Sequence, residues 1–153
     1  MAKLSQGKAT EKISLATYKQ IMIAVVHASA VGLSEVMKKY TSEAEHTDFI
    51  RAYANKIRFF PDQTGYFFVY NFAGLNIALP NPNEWQGKNL YDHKDSQGKY
   101  VIRELLAAAK EGGGFVEYYW VKPGSIGEHK KISYAESIPG TNYFIGAGVY
   151  IKD

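Results

Sequence analysis

The chain has 153 residues, 46% hydrophobic and 22% charged, with a formal net charge of +3 and no cysteine. That length and apolar content suffice for one domain that buries its own core, and the missing cysteines exclude a disulfide framework, a thiolate zinc site and a cysteine nucleophile. Residues 1–60 carry nine Lys/Arg against five Asp/Glu and residues 61–153 nine against ten, an excess too small and dispersed for a nucleic-acid footprint.

The opening MAKLSQGKATEK lacks the charged leader, apolar core and small-residue cleavage site of a signal peptide. The longest apolar run, 21–33, is broken by His27 and Ser29 and falls short of the roughly 18 residues a spanning helix needs. The chain as it stands is therefore expected to be soluble, with any membrane contact made by segments outside it.

Residues 11–40 predict one long helix, roughly 45 Å at about 1.5 Å per residue. Tyr18, Ile21, Val25, Ala28 and Gly32 form one apolar stripe on it. Ile23, Val26, Ala30, Leu33, Met37 and Tyr40 form a second. A helix with two apolar faces must cover both, with a sheet on one side and a second helix or a partner subunit on the other. Thr47-Asp48 start a second helix whose apolar face (Phe49, Tyr53, Ile57, Phe60) runs to Pro61. Arg58 falls at its end, where a cation also suits the helix dipole.

In GYFFVYNFAGLNIALP, residues 65–80, Tyr66, Phe68 and Tyr70 point one way from a first strand and Phe67 and Val69 the other. The turn Phe72-Ala73-Gly74 leads into a second strand, 75–79. A loop over 81–98 follows, with Asp95 or Ser96 as cap of a helix over 99–110. That helix buries Val101, Ile102, Leu105, Leu106 and Ala109 and ends at Gly112-Gly113-Gly114. Three aromatic and β-branched strands, 115–122, 130–137 and 143–151, are joined by short Pro-Gly turns and form an antiparallel meander. The fold class is α+β: a five-stranded antiparallel sheet with helices on its faces.

Several chemistries are disfavoured. His27, His46, His93 and His129 share no metal-ligand spacing, and His27 suits a packed or interface position. The glycine run follows a helix and does not open one, so it is no phosphate cradle. Glu117, Glu128 and Glu136 read as solvent-facing strand and loop residues before they read as an acid–base pair. Asp92, Asp95 and Gly98 lack the spacing and closing Glu of a calcium loop.

The strings GYFFVY, GKNL, DSQGK, AAAKEGGGFVEYYWVKPG, KISY and IGAGVYIKD, in this order, resemble the single Cache domain, the PAS-like extracytoplasmic sensor module of bacterial chemoreceptors and histidine kinases. The resemblance implies a small-molecule pocket over one sheet face, commonly for short carboxylates, with the long helix (1–45) preceding a ligand-binding part (46–153) in one domain. It implies a periplasmic setting; no cofactor and no catalysis are expected, and the second apolar face of the N-terminal helix leaves burial within the domain and a homodimer as the two alternatives.

Carried over residue by residue, the ligand contacts are Arg58, Tyr66 and Lys131: a bidentate cation, a phenolic donor and a second charge suit a carboxylate. Each also has a structural explanation, as core filler or as a stem that packs while its head reaches water. Where the family often has His-Pro at the end of its second strand, this chain has Leu79-Pro80, so a donor gives way to an aliphatic group. Phe68, Trp85, Tyr118 and Trp120 complete an apolar wall, and Gly146 and Gly148 leave room for a ligand or a packed helix. The alternatives are a freestanding exported binding protein and, less favoured, a cytoplasmic PAS-like domain holding haem or flavin.

Overall fold

A computed structural model describes residues 12–152. Helix α1 spans Leu15–Met37, with the Ser14 side chain accepting a hydrogen bond from the Thr17 backbone N–H at 3.1 Å. Residue 11, at the expected start of this helix, lies outside the described residues. The buried stripe is Met22, Val26, Ser29, Ala30, Leu33, Ser34 and Met37. It is close to the second expected stripe, with Met22 taking the place of Ile23, which is 36% exposed. This stripe packs on strands β4 (Glu128–Ser137) and β5 (Tyr143–Tyr150). By length and composition alone α1 is apolar enough to cross a bilayer, contrary to the sequence expectation, although here one side of it is closed over by the sheet.

Helix α2 spans Glu43–Ala54 and begins earlier than expected. Ser42 is its cap and accepts from Glu45 N–H, and acidic Glu43 and Glu45 occupy the positive end of the helix. It also ends earlier, because Phe60 has a left-handed φ of 67° and Phe59 pairs with Gly65 across a turn. Gly65 is required there: a Cβ would lie 2.4 Å from the Phe59 ring. The apolar spacing that suggested a longer helix continues into this turn, where the same residues pack on the same core without helical backbone.

The sheet order is β2-β1-β5-β4-β3, antiparallel throughout, with β1 Phe67–Asn71, β2 Asn76–Ala78 and β3 Gly114–Val121. The expected meander β3-β4-β5 is present, and β5 also pairs with β1, which places it at the centre. Alternation along the strands divides the apolar residues between two layers. Phe67, Val69, Ile132, Tyr134, Ile145 and Val149 face α1 and α2. Tyr66, Phe68, Tyr70, Tyr118, Trp120 and Phe144 face helix α3, Val101–Lys110. All five residues expected on the buried face of α3 are buried. Asp95 is not its cap. One carboxylate oxygen accepts from the N–H groups of Gln97 and Lys99 and the other from that of Tyr119, tying the 81–98 loop to β3.

Candidate ligand-binding site

Lys131 defines the site. It lies on β4, paired with Tyr118 of β3 on one side and Tyr150 of β5 on the other, and is 1% exposed. The space for its stem comes from the neighbouring strand, since a Cβ on Gly148 would lie 2.7 Å from Lys131 Cε and 2.1 Å from Ser133 Oγ. The Phe68 ring likewise occupies the room beside Gly146, where a Cβ would stand 2.4 Å from it. The two glycines therefore make way for side chains of the sheet itself, and not directly for a ligand or helix as expected.

The Lys131 ammonium donates to the Tyr66 hydroxyl at 3.0 Å. It stands over four aromatic rings, at 4.2 Å from the centroid of Tyr66, 5.1 Å from Tyr150, 5.4 Å from Phe68 and 5.9 Å from Tyr118. Such faces attract a cation, but they carry no net charge. None of the ion pairs among the described residues includes Lys131. Burial therefore lowers its pKa below the usual lysine value, an effect only partly opposed by Tyr66. Burial also pushes the phenols of Tyr70, Tyr118 and Tyr150 upward, so none of them supplies a compensating phenolate near neutral pH.

Around this cation the polar groups are held in place. Tyr66 O–H donates to the Asn81 carbonyl at 3.1 Å, which also accepts from Trp120 Nε1 at 3.1 Å. Tyr150 O–H donates to the Val121 carbonyl at 2.6 Å, and the Tyr118 and Ser133 hydroxyls are 2.7 Å apart. A cavity opens against the ammonium, lined by Phe68, Tyr70, Leu79, Val101, Ile102, Leu105, Tyr118, Trp120 and Lys131. Its volume open to the centre of a water-sized sphere is ≈ 10 Å³, about the space one water requires.

The structure thus brings together Tyr66, Phe68, Leu79, Tyr118, Trp120 and Lys131 of the residues singled out in the sequence. Trp85 is one layer further out, with its ring 5.4 Å from that of Trp120. Arg58 is not brought to the cluster: its exposed guanidinium donates to the carbonyls of Asn55 and Ile57, both at 2.9 Å, capping the end of the α2 segment. Sequence reasoning missed Tyr150, whose hydroxyl lies 3.4 Å from that of Tyr66. Strand alternation from Gly148 would have pointed to it. It also read Val101, Ile102 and Leu105 only as a buried helix face, when they roof the cavity. The 81–98 loop contributes through Asn81, whose carbonyl holds two site side chains.

A five-stranded sheet of this order, with a buried cation under a helical roof, is a PAS-like ligand-sensing module. The sequence profile of the Cache domain family matches residues 3–153, and the chain belongs to that family. The sensor histidine kinase MctS of Rhizobium johnstonii is 42% identical over 89 residues, 58% of this chain and 19% of that protein, so the chain spans about a fifth of this relative's length. A solved periplasmic sensor domain of a chemotaxis protein superposes with a TM-score of 0.79 at 26% identity, covering 92% of this chain and 100% of that one. A Cache chemosensory domain solved to explain carboxylic acid recognition shares the fold, with a TM-score of 0.75 at 22% identity over 99% of this chain and 98% of that one. The chain is accordingly a ligand-binding sensor domain of the bacterial signal-transduction type.

Proposed function

We propose that this domain sits on the extracytoplasmic side of a bacterial receptor and binds a short carboxylate directly at Lys131, with no catalytic step. The observation that carries this reading is a fully buried ammonium that donates to the Tyr66 hydroxyl and has no anionic partner among the described residues. Removing a charge from water without a counter-ion is costly, and an incoming carboxylate supplies both the counter-charge and acceptors for the remaining N–H groups. Entry requires the roof of α3 and Leu79 to move outward, since the cavity holds only about one water.

Movement at Lys131 has a route to α1. The opposite face of β4 carries Tyr134 and Glu136, whose carboxylate accepts from the Tyr134 hydroxyl at 2.9 Å and lies 2.8 Å from His27 Nδ1 on α1. In this reading residues 46–153 bind the ligand and the N-terminal helix reports it, as a shift between two helix arrangements limited by the ligand's differential affinity. Calorimetry with short carboxylates and their neutral amides tests the assignment: the acids bind and the amides do not. Equal binding of both would remove charge recognition, and with it the proposed role of Lys131.

Arg58 takes no part in this site. Arg58→Ala is expected to leave carboxylate affinity within about twofold and to cost at most about 1 kcal/mol of stability, through the two lost carbonyl contacts. A loss of binding comparable to that of a Lys131 variant would return Arg58 to the ligand.

The homodimer forms across the uncovered side of α1. Ile23 and Val31 are 36% and 43% exposed there. Ile21, Val25 and Ala28 border an apolar groove of ≈ 540 Å³ with Tyr53, Phe60 and Phe67. Val31→Glu should convert a concentration-dependent dimer into a monomer in sedimentation experiments without changing the helical circular-dichroism signal. An unaltered association constant would place the dimer contact elsewhere.

A further inference from the structure

The His93 imidazole is a polar group that the site as described leaves unused. Its ring lies between two tryptophans, with centroids 5.0 Å from Trp85 and 5.4 Å from Trp120. Its Nε2 atom is buried and has no hydrogen-bond partner. Among the described residues two other buried atoms share that condition, Asn55 Oδ1 and Asn76 Oδ1. Asn76 lies beside Tyr70 of the lining, but its amide is held by the Val69 and Ala78 carbonyls within the sheet, whereas the His93 ring packs on Trp120, a wall of the Lys131 cavity.

An unpaired buried nitrogen is unfavourable and needs a compensating partner. Burial holds the His93 pKa below the usual histidine value, with Glu128 and Asp95 acting in the opposite direction, so the ring is neutral at pH 7. A neutral imidazole offers Nε2 as an N–H donor in one tautomer and as a lone-pair acceptor in the other. A hydroxyl satisfies either. A second carboxylate suits the position poorly, because Lys131 supplies only one positive charge and the aromatic walls supply none.

The cavity must widen to admit any acid, and beyond its Trp120 wall lies the His93 ring. We infer that His93 is a second polar anchor of the site, positioned to take a hydroxyl on the ligand at the end remote from the carboxylate held by Lys131. The preferred ligand class is therefore a short hydroxy acid over the corresponding unsubstituted acid. This inference rests on the assignment of Lys131 to carboxylate binding and adds specificity to it.

The test compares propanoate and butanoate with their terminally hydroxylated counterparts by calorimetry, on the parent domain and on His93→Phe, which retains an aromatic ring between Trp85 and Trp120. The parent is expected to favour the better-fitting hydroxy acid at least tenfold over its plain partner. His93→Phe is expected to lose that preference while binding the plain acid within about twofold of the parent. A preference that persists in His93→Phe, or that is absent from the parent, overturns the inference while leaving Lys131 in place. Binding of neither acid class by the parent overturns the Lys131 assignment and this inference together.

Should His93→Phe not fold, the imidazole ¹⁵N resonances of the parent give the same decision. Nε2 should shift on adding the hydroxy acid and remain fixed with the plain acid; identical responses to both overturn the proposal.

Discussion

Lys131→Met is expected to weaken carboxylate binding severely while leaving the unliganded domain at least as stable as the parent. Each charge-assisted hydrogen bond to the ligand contributes about 1.5–3 kcal/mol, so the loss is roughly ten- to hundredfold or more in affinity. Stability behaves differently because the ammonium is buried without a counter-ion, and a thioether of similar length fills the same volume without that desolvation cost. Tyr66 loses a donor but keeps its own bond to the Asn81 carbonyl, so no polar atom is stranded by the exchange. A Met variant that unfolds, or one that binds carboxylates as the parent does, would remove Lys131 from the centre of the site.

The same residue sets a pH dependence whose sign follows from its lowered pKa. Between that lowered value and the ordinary 10.5, the unfolded chain binds more protons at this lysine than the folded one. Lys131 therefore contributes a stability that rises with pH across this window, and the slope disappears in Lys131→Met. Anion affinity moves the other way, falling as pH rises through the same window because the ammonium discharges. Thermal melts and calorimetry at a series of alkaline pH values read both slopes.

Gly148→Val is expected to destabilise the domain by about 3 kcal/mol or more, at the upper end of the usual cost of overpacking. For a chain of this size that is roughly 6–12 °C in Tm. The first added carbon meets Ser133 Oγ at 2.1 Å, the backbone oxygen of Ile132 at 2.6 Å and Lys131 Cε at 2.7 Å. The backbone oxygen belongs to a paired strand and has no side-chain torsion through which to move away. If the variant folds at low temperature, displacement of the Lys131 stem should also weaken ligand binding. A melting temperature within 2 °C of the parent, by the same conversion under about 1 kcal/mol, would mean that the strands separate more readily than this packing implies.

Much of the fold is legible in local chemistry. Gly65, the alternation of Tyr66, Phe68 and Tyr70 with Phe67 and Val69, and the Pro-Gly turns define strands and faces before any tertiary contact is considered. The buried face of α3 is legible for the same reason, because its apolar residues repeat at helical spacing and a glycine pair of positive φ closes its end. The borders of α2 are not. Ser42 and Thr47 are both capable caps, and what favours Ser42 is its pairing with Glu45 and the packing of Ile50 and Ala54. Apolar spacing carried the expected helix on to Phe60, although hydrophobic burial does not require helical backbone.

The site was half legible. Lys131 alternates with Lys130 on its strand and falls on the same sheet face as the aromatics, and its register opposite Tyr118 follows from the meander. Arg58 showed the limit of carrying a contact over from the resemblance, since a cation just beyond a helix satisfies the helix's own carbonyls as readily as a ligand. His93 carried no signal at all in the chain, because its unpaired nitrogen becomes visible only once Trp85 and Trp120 enclose it.

The central position of β5 has a consequence for how the domain is made. During synthesis the β1–β2 hairpin and the β3–β4 ribbon emerge first, each with an open edge facing the place that residues 143–150 will fill. Pairs as distant as Phe67 with Ala147 close the sheet only when that last segment arrives, so assembly is a late, long-range event and not a gradual zippering along the chain. Until then the exposed edges can recruit strands from other molecules, and a truncation before residue 143 leaves two aggregation-prone halves in place of a smaller domain.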